Sequence, residues 1–167
     1  MSIKKITAVA LLLSTTSAMA TDSPITGSVQ PKCSVYTETQ GVYGNPLPNK
    51  LDTLPASGGT KASIRYDIAQ ANFYLARITH PNSFSSSPTL NDSVAWTGSS
   101  VVGQVSVAGM SAYEAAKVIS PINVTTFDMT LAGSTWFTVS STATYGYNKA
   151  LPAGNYTAII KADCIAK

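Results

Sequence analysis

Two cysteines, Cys33 and Cys164, stand near opposite ends of a 167-residue chain, and each lies in a segment whose apolar residues alternate. From Tyr156 onward, Tyr156, Ala158, Ile160, Ala162 and Cys164 fall on one face, and Thr157, Lys161 and Asp163 on the other, with Ile159 and Ile165 out of pattern. Near the start, Ile25, Gly27, Val29, Pro31, Cys33 and Val35 share one face. Period-two alternation is the signature of a strand. Both cysteines therefore sit on apolar faces of predicted strands, and within the chain each has only the other as a partner. A bond between them closes a loop of about 130 residues, for which the chain-entropy model gives roughly 5 kcal/mol. It also ties the start of the domain to its final strand, taken here as lying within 151–167.

That bond needs an oxidising compartment. Lys4 and Lys5, the apolar run Ile6 to Leu13 and the Ala18-Met19-Ala20 triplet form a charged n-region, an h-region and an A-x-A cleavage site. Residues 1–20 thus read as a secretory signal peptide. No later apolar run approaches the roughly 18 residues that span a bilayer. Without the leader's two lysines, nine basic residues face eight acidic ones, so no polyanionic partner is implied. Charged residues make up 11% of the chain. Serine and threonine supply about a quarter of the mature chain, whereas charged residues make up that share of an ordinary domain. The expectation is an exported, hydroxyl-rich β-protein with one domain over 33–167, preceded by a segment 21–32.

Turn formers crowd residues 38–59 (Gly41, Gly44-Asn45-Pro46, Pro48-Asn49, Pro55, Ser57-Gly58-Gly59), which predicts loops or a sheet edge. Ile64, Tyr66 and Ile68 alternate with Ser63, Arg65 and Asp67 as in a half-buried strand, and Phe73 to Thr79 reads as a central one. Ser93–Thr97 and Ser100–Val107 read as two strands joined by a Gly98-Ser99 hairpin turn, with Val101, Val105 and Val107 on one face and Gly103 marking a bulge. Ser111 and Glu114 have capping-box spacing ahead of a short helix. Asn123–Leu131 and Thr135–Tyr145 read as a hairpin across Ala132-Gly133-Ser134. About seven to nine short strands with regular turn signals predict an all-β chain, an immunoglobulin-like antiparallel β-sandwich.

Little points to catalysis. His80 is the only histidine, and it precedes Pro81 in a polar loop, where a solvated side chain is expected. No Gly-x-Ser-x-Gly elbow accompanies it. The carboxylates are scattered singly, and with both cysteines in a disulfide no transition-metal ligand set remains. No calcium loop or phosphate loop is present, so no cofactor and no metal site is expected. Trp96, Trp136, Tyr145 and Tyr147 are candidate ligand aromatics, although packing is the commoner role of such residues in a small sandwich.

Several segments together resemble chaperone–usher fimbrial major subunits, nearest the alpha-fimbrial pilins of the colonisation factor antigen type. Ile25-Thr26-Gly27-Ser28-Val29-Gln30-Pro31 is similar to their donor strand, and Gly44-Asn45-Pro46-Leu47-Pro48 to a Gly-Asn-x-Leu-Pro stretch that follows it. Ser93-Val94-Ala95-Trp96-Thr97-Gly98 resembles their central strand, and Ala153-Gly154-Asn155-Tyr156-Thr157 the opening of their last one. The resemblance implies an incomplete sandwich that lacks one strand and a groove beside the last strand lined by Tyr156, Ala158, Ile160 and Ala162. It also implies a donor strand presenting Ile25, Gly27 and Val29 to a neighbour's groove.

Two functions follow as expectations. One is a non-enzymatic structural subunit of a surface fimbria contributing to adhesion. Its partners would be its own copies head to tail, a periplasmic assembly chaperone, an outer-membrane usher, and a host glycan or protein receptor. The alternative is a self-contained secreted binding module for glycan or protein, in which residues 21–32 are the domain's own first strand.

Overall fold

The computed structural model describes Thr26, residues 32–120 and residues 123–167. The expected leader and the donor residues Ile25, Gly27 and Val29 lie outside the described residues. Described are strands β1 (Cys33–Thr39), β2 (Gly44–Leu47), β3 (Lys50–Asp52), β4 (Ala62–Ile68) and β5 (Tyr74–Thr79). They continue with β6 (Val94–Val105), β7 (Val118–Ser120), β8 (Val124–Met129), β9 (Gly133–Tyr145) and β10 (Lys161–Ala166). One four-residue helix, α1 (Tyr113–Ala116), follows a 3₁₀ turn at Ala108–Ala112, and a second 3₁₀ turn occupies Pro55–Ser57. No helix among the described residues is long and apolar enough to cross a membrane.

The strands form two antiparallel sheets, as the alternation predicts. β9 organises the larger one. Its 13 residues are long enough for two partners on one edge, β4 along Gly133–Val139 and β3 along Thr142–Thr144. β6 runs the length of the other edge, β1 adds to β4, and β2 adds to β3. The smaller sheet has the order β10-β5-β8-β7, so Phe73–Thr79 does supply a central strand.

Strict alternation sets which residues make the core. Thr135, Phe137, Val139, Ser141, Ala143 and Tyr145 of β9 are buried, and the residues between them are half-buried. Ile64, Tyr66 and Ile68 of β4, and Ala76 and Ile78 of β5, close on them with Phe127 and Met129 of β8. Phe137 meets Tyr66 edge to face at 5.5 Å and Phe127 at 4.2 Å. The Tyr66 hydroxyl reaches the opposite sheet and donates to the Arg77 carbonyl at 3.0 Å, which satisfies its one polar atom.

Several local expectations are corrected. Gly98-Ser99 is not a turn, because β6 runs unbroken through it and Gly98 pairs with Ser141. Glycine is needed there for space, since a Cβ at Gly98 would lie 2.6 Å from His80 Nδ1. The bulge at Gly103 is present, a register shift between Val102 and Gln104. It moves the inward positions from Ser100 and Val102 to Val105, so Val101 and Val105 do not share a face. β8 and β9 are not a hairpin either. Their apolar faces look at each other across the core, as the Phe127–Phe137 contact requires, so the chain passes from one sheet to the other. Gly133, at φ +135°, makes that passage, and a Cβ there would meet Ser106 Oγ at 2.6 Å. Ser111 and Glu114 form no capping box: Ser111 Oγ donates to the Ala108 carbonyl, and Glu114 reaches β6 instead.

The cysteines are joined as the sequence predicts. Cys33 opens β1 and Cys164 lies in β10, with Cα atoms 6.2 Å apart, and the bond links an outer strand of one sheet to an outer strand of the other. Such a bond fits an oxidising, exported environment.

Candidate functional site

β1 and β10 leave one side of the sandwich open. β1 pairs only with β4, and β10 only with β5, so the edges that face each other across the gap have no strand partner among the described residues. β1 loses its regular register between Thr37 and Thr39, and the chain continues outward to the Val42–Thr60 bridge. On the other lip the final strand begins only at Lys161, later than the alternation suggests. Residues 153–160 before it are tied by a single bridge, Thr157 to Ser86, whose backbone bonds run at 2.8–3.3 Å.

Two adjoining clefts occupy the gap, of about 400 and 430 Å³. The first is lined by Thr37, Thr39, Ala62, Ile64, Ala158 and Ile160, and the second by Tyr43, Leu51, Gly154, Tyr156 and Ala158. Ala62 and Ile64 belong to the main core, and Ile160 packs against it, so the floor of the first cleft is the core itself. No charged residue lines either cleft. Ala62 and Ile64 are each only 5% exposed, so the floor is reached only through the cleft, and an apolar floor between unpaired strand edges is what a further strand would fill.

Of the residues expected to line a groove, Tyr156, Ala158 and Ile160 do so, and they alternate with exposed Thr157 and Ile159. Ala162 keeps the same inward alternation but lies within β10, paired with Ile78. The Tyr156 hydroxyl donates to the Pro152 carbonyl at 2.6 Å, which holds the far lip. Asp52 fixes the neighbouring turn. Burial alone would push its carboxyl up, but the Leu54 amide at 2.9 Å, the Lys50 ammonium at 3.1 Å and the Ser57 hydroxyl together hold it below the usual carboxylate range.

The four candidate aromatics do not form one platform. Trp96 pairs with Ala143 and lies on the inner face of the larger sheet, whereas Trp136 is on its outer face with the Arg65 guanidinium 5.9 Å from its ring. Arg65 also covers Tyr36 at 4.6 Å and pairs with Glu38 at 2.6 Å. Tyr145 is buried, its hydroxyl accepting the Asn91 N–H at 3.1 Å, and Tyr147 is exposed alone. The residue that the sequence reading passed over is Phe84. It bridges Trp96 at 4.7 Å and Tyr156 at 5.0 Å, and its one signal was an aromatic ring inside a polar loop.

His80 is not the solvated loop residue expected; it is 5% exposed. Its Nε2 meets Ser100 Oγ at 3.1 Å and Thr125 Oγ1 at 3.4 Å, and Nδ1 is buried without a hydrogen bond. Burial holds the ring below the usual histidine range, offset only in part by the nearby Ser140 carbonyl. A carboxylate to orient the ring is missing from the two clefts that adjoin it, whose charged lining residues are Lys117 and Lys161. Among the described residues lining those clefts, none supplies Ser100 and His80 with the third group that a nucleophilic serine uses.

No family model, no curated relative and no solved structure matches the chain.

Proposed function

We propose that this chain is a structural subunit of a surface fibre, assembled by donation of an N-terminal strand into a neighbour's open sandwich in the manner of chaperone–usher fimbrial pilins. The observation that carries the reading is the uncharged gap between β1 and residues 153–160, floored by Ala62 and Ile64 of the main core and by Ile160 packed against it. The segment Ile25-Thr26-Gly27-Ser28-Val29-Gln30 suits it chemically, because it is uncharged and alternates apolar with polar residues. Strand addition supplies backbone hydrogen bonds to the free edges, and the inward residues cover the floor. Donation from one copy to the next is heterologous and does not close, so it gives a fibre. In transit, an exposed edge and floor need a periplasmic chaperone, and an outer-membrane usher completes export to the cell surface. The role requires no catalysis and no cofactor.

The test is deletion of residues 21–30, examined by electron microscopy of cells and by size analysis of the exported protein. The expected result is a secreted, disulfide-bonded domain that forms no fibres. Ala158→Asp, which places a charge in both clefts while leaving the donor intact, is expected to block assembly equally. Fibres of normal length from the deletion variant would end the proposal. A stable monomer from the unaltered chain expressed without a chaperone would favour the self-contained binding module instead.

A further inference from the structure

A third cleft, of about 290 Å³, lies away from the open side, where the polar loop 80–93 folds over the beginning of β6. Its apolar lining is Trp96 and Val94, which point inward from β6, with Phe84 and Leu90 from the loop. Its polar lining is Asn82, Ser83 and Ser87. The rings are fixed, since Phe84 is wedged between Trp96 and Tyr156. The loop is fixed too: Ser85 and Ser86 donate backbone N–H groups to the Thr157 carbonyl, and Ser85 Oγ donates to the same oxygen at 3.1 Å. Asn82 and Ser83 are exposed, and their side chains make no hydrogen bond to the described residues. The cleft therefore offers a rigid aromatic wall opposite an amide and hydroxyls that are free to donate and accept.

We infer that this cleft binds a single neutral pyranose unit of a glycan. Three features select that ligand. No charged residue lines the cleft, so an anionic sugar or a cationic side chain gains no ion pair on entering it. A pyranose carries aliphatic C–H groups on one face and hydroxyls at its rim, which match an indole wall and an Asn–Ser edge; a purely apolar ligand would leave those polar groups unpaired. The volume is at the lower limit of ligand sites, which suits one ring and excludes a buried oligosaccharide. An open site for one ring binds weakly, with Kd on the order of millimolar. The inference stands apart from the assembly reading, because Ala158, which lines both clefts of the open side, does not line this one.

The experiment uses the full chain with Trp136→Phe, which leaves Trp96 as its only indole. Its fluorescence is followed while the methyl glycosides of galactose, glucose, mannose and N-acetylglucosamine are each added to about 100 mM, a range that saturates a millimolar site. The expected result is a saturable change in Trp96 emission for at least one of them. The same titration on a chain that also carries Asn82→Ala and Ser83→Ala should give binding at least tenfold weaker with an unchanged circular dichroism spectrum. Both substitutions fall on exposed loop positions, so the fold is retained when the site is lost. Linear or absent responses to all four glycosides overturn the inference, as does an equal response in the variant that lacks Asn82 and Ser83.

Discussion

Along the β6–β8 side of the sandwich, the turn Ala108–Ala112 and helix α1 lie across the gap between the sheets, whereas along the β1–β10 side the Cys33–Cys164 bond is the one covalent link across it among the described residues. The helical segment closes its side from within. Met110 and Tyr113 are buried in the core, Thr135 Oγ1 donates to Met110 Sδ, and the Tyr113 hydroxyl accepts the Leu131 N–H at 2.9 Å. Glu114 accepts the Val102 N–H at 2.8 Å and pairs with Lys117, which in turn donates to the Ser100 carbonyl at 3.0 Å. Burial would push the Glu114 carboxyl up, but Lys117 and the Val102 amide hold it below the usual range. On the other side a covalent bond fixes one end of the gap, and beyond it the clefts reach down to Ala62 and Ile64 of the core. Two sheets need closure on both sides, and here one is closed by the turn and α1 while the other, among the described residues, has no strand across its gap.

Removing the covalent link should have the largest effect. Cys33→Ser combined with Cys164→Ser is expected to lower unfolding stability by about 2–5 kcal/mol, read from the denaturant midpoint. Hydrogen exchange should accelerate in β1 and β10 far more than in β6 and β8. Equal acceleration on both sides would mean that the disulfide supports the whole sandwich rather than its open side. Met110→Ala probes the closed side in turn. It removes a fully buried side chain held by β9 and should cost about 3 kcal/mol, within the usual range for such truncations. Here exchange should rise in β6 and β8 while β1 and β10 remain protected. A uniform loss would erase the distinction between the two sides.

Legibility divided along the same line as range in sequence. Inner faces were readable because alternation is local: Ile64, Tyr66 and Ile68, then Phe127 and Met129, then Phe137 and Val139, all point where the pattern places them. The disulfide was readable because only two cysteines exist. Pairing partners were not, because they are decided elsewhere in the chain. Gly98-Ser99 has the composition of a hairpin turn, yet its glycine answers to the ring of His80, 18 residues earlier. Ala132-Gly133-Ser134 likewise reads as a hairpin turn, but the apolar faces of β8 and β9 are better buried against each other than side by side. The open gap could not be read directly, because Thr37, Ile64 and Ile160 meet there from three distant segments. A groove beside the last strand was implied by the resemblance to pilins, and not by composition or alternation.

The smallest effect falls on the closed side and concerns pH. His80 sits between β6 and β8, and nothing in its local sequence indicated burial, because the space it fills is made by Gly98 on another strand. Its ring is held below the usual histidine range by burial, with Lys117 and Lys161 lining the adjoining clefts and no carboxylate beside it. In the unfolded chain the same ring takes up a proton near the ordinary value of about 6.5. Above that pH neither state is protonated and His80 adds no pH dependence. As pH falls below it, the unfolded state binds the proton first, so stability drops until the depressed folded-state value is reached. A single group limits the slope to about 1.4 kcal/mol per pH unit. His80→Gln keeps an amide for Ser100 and Thr125 and cannot titrate, so its denaturant midpoint should be flat where the parent's declines. If both chains decline in parallel, the acid sensitivity belongs to the carboxylates, such as Asp52 and Glu114, and the closed side has no weak point at His80. If only the parent declines, and hydrogen exchange in acid rises first in β6 and β8, then the side that the chain closes for itself is the one that acid loosens, while the disulfide-bonded side does not respond.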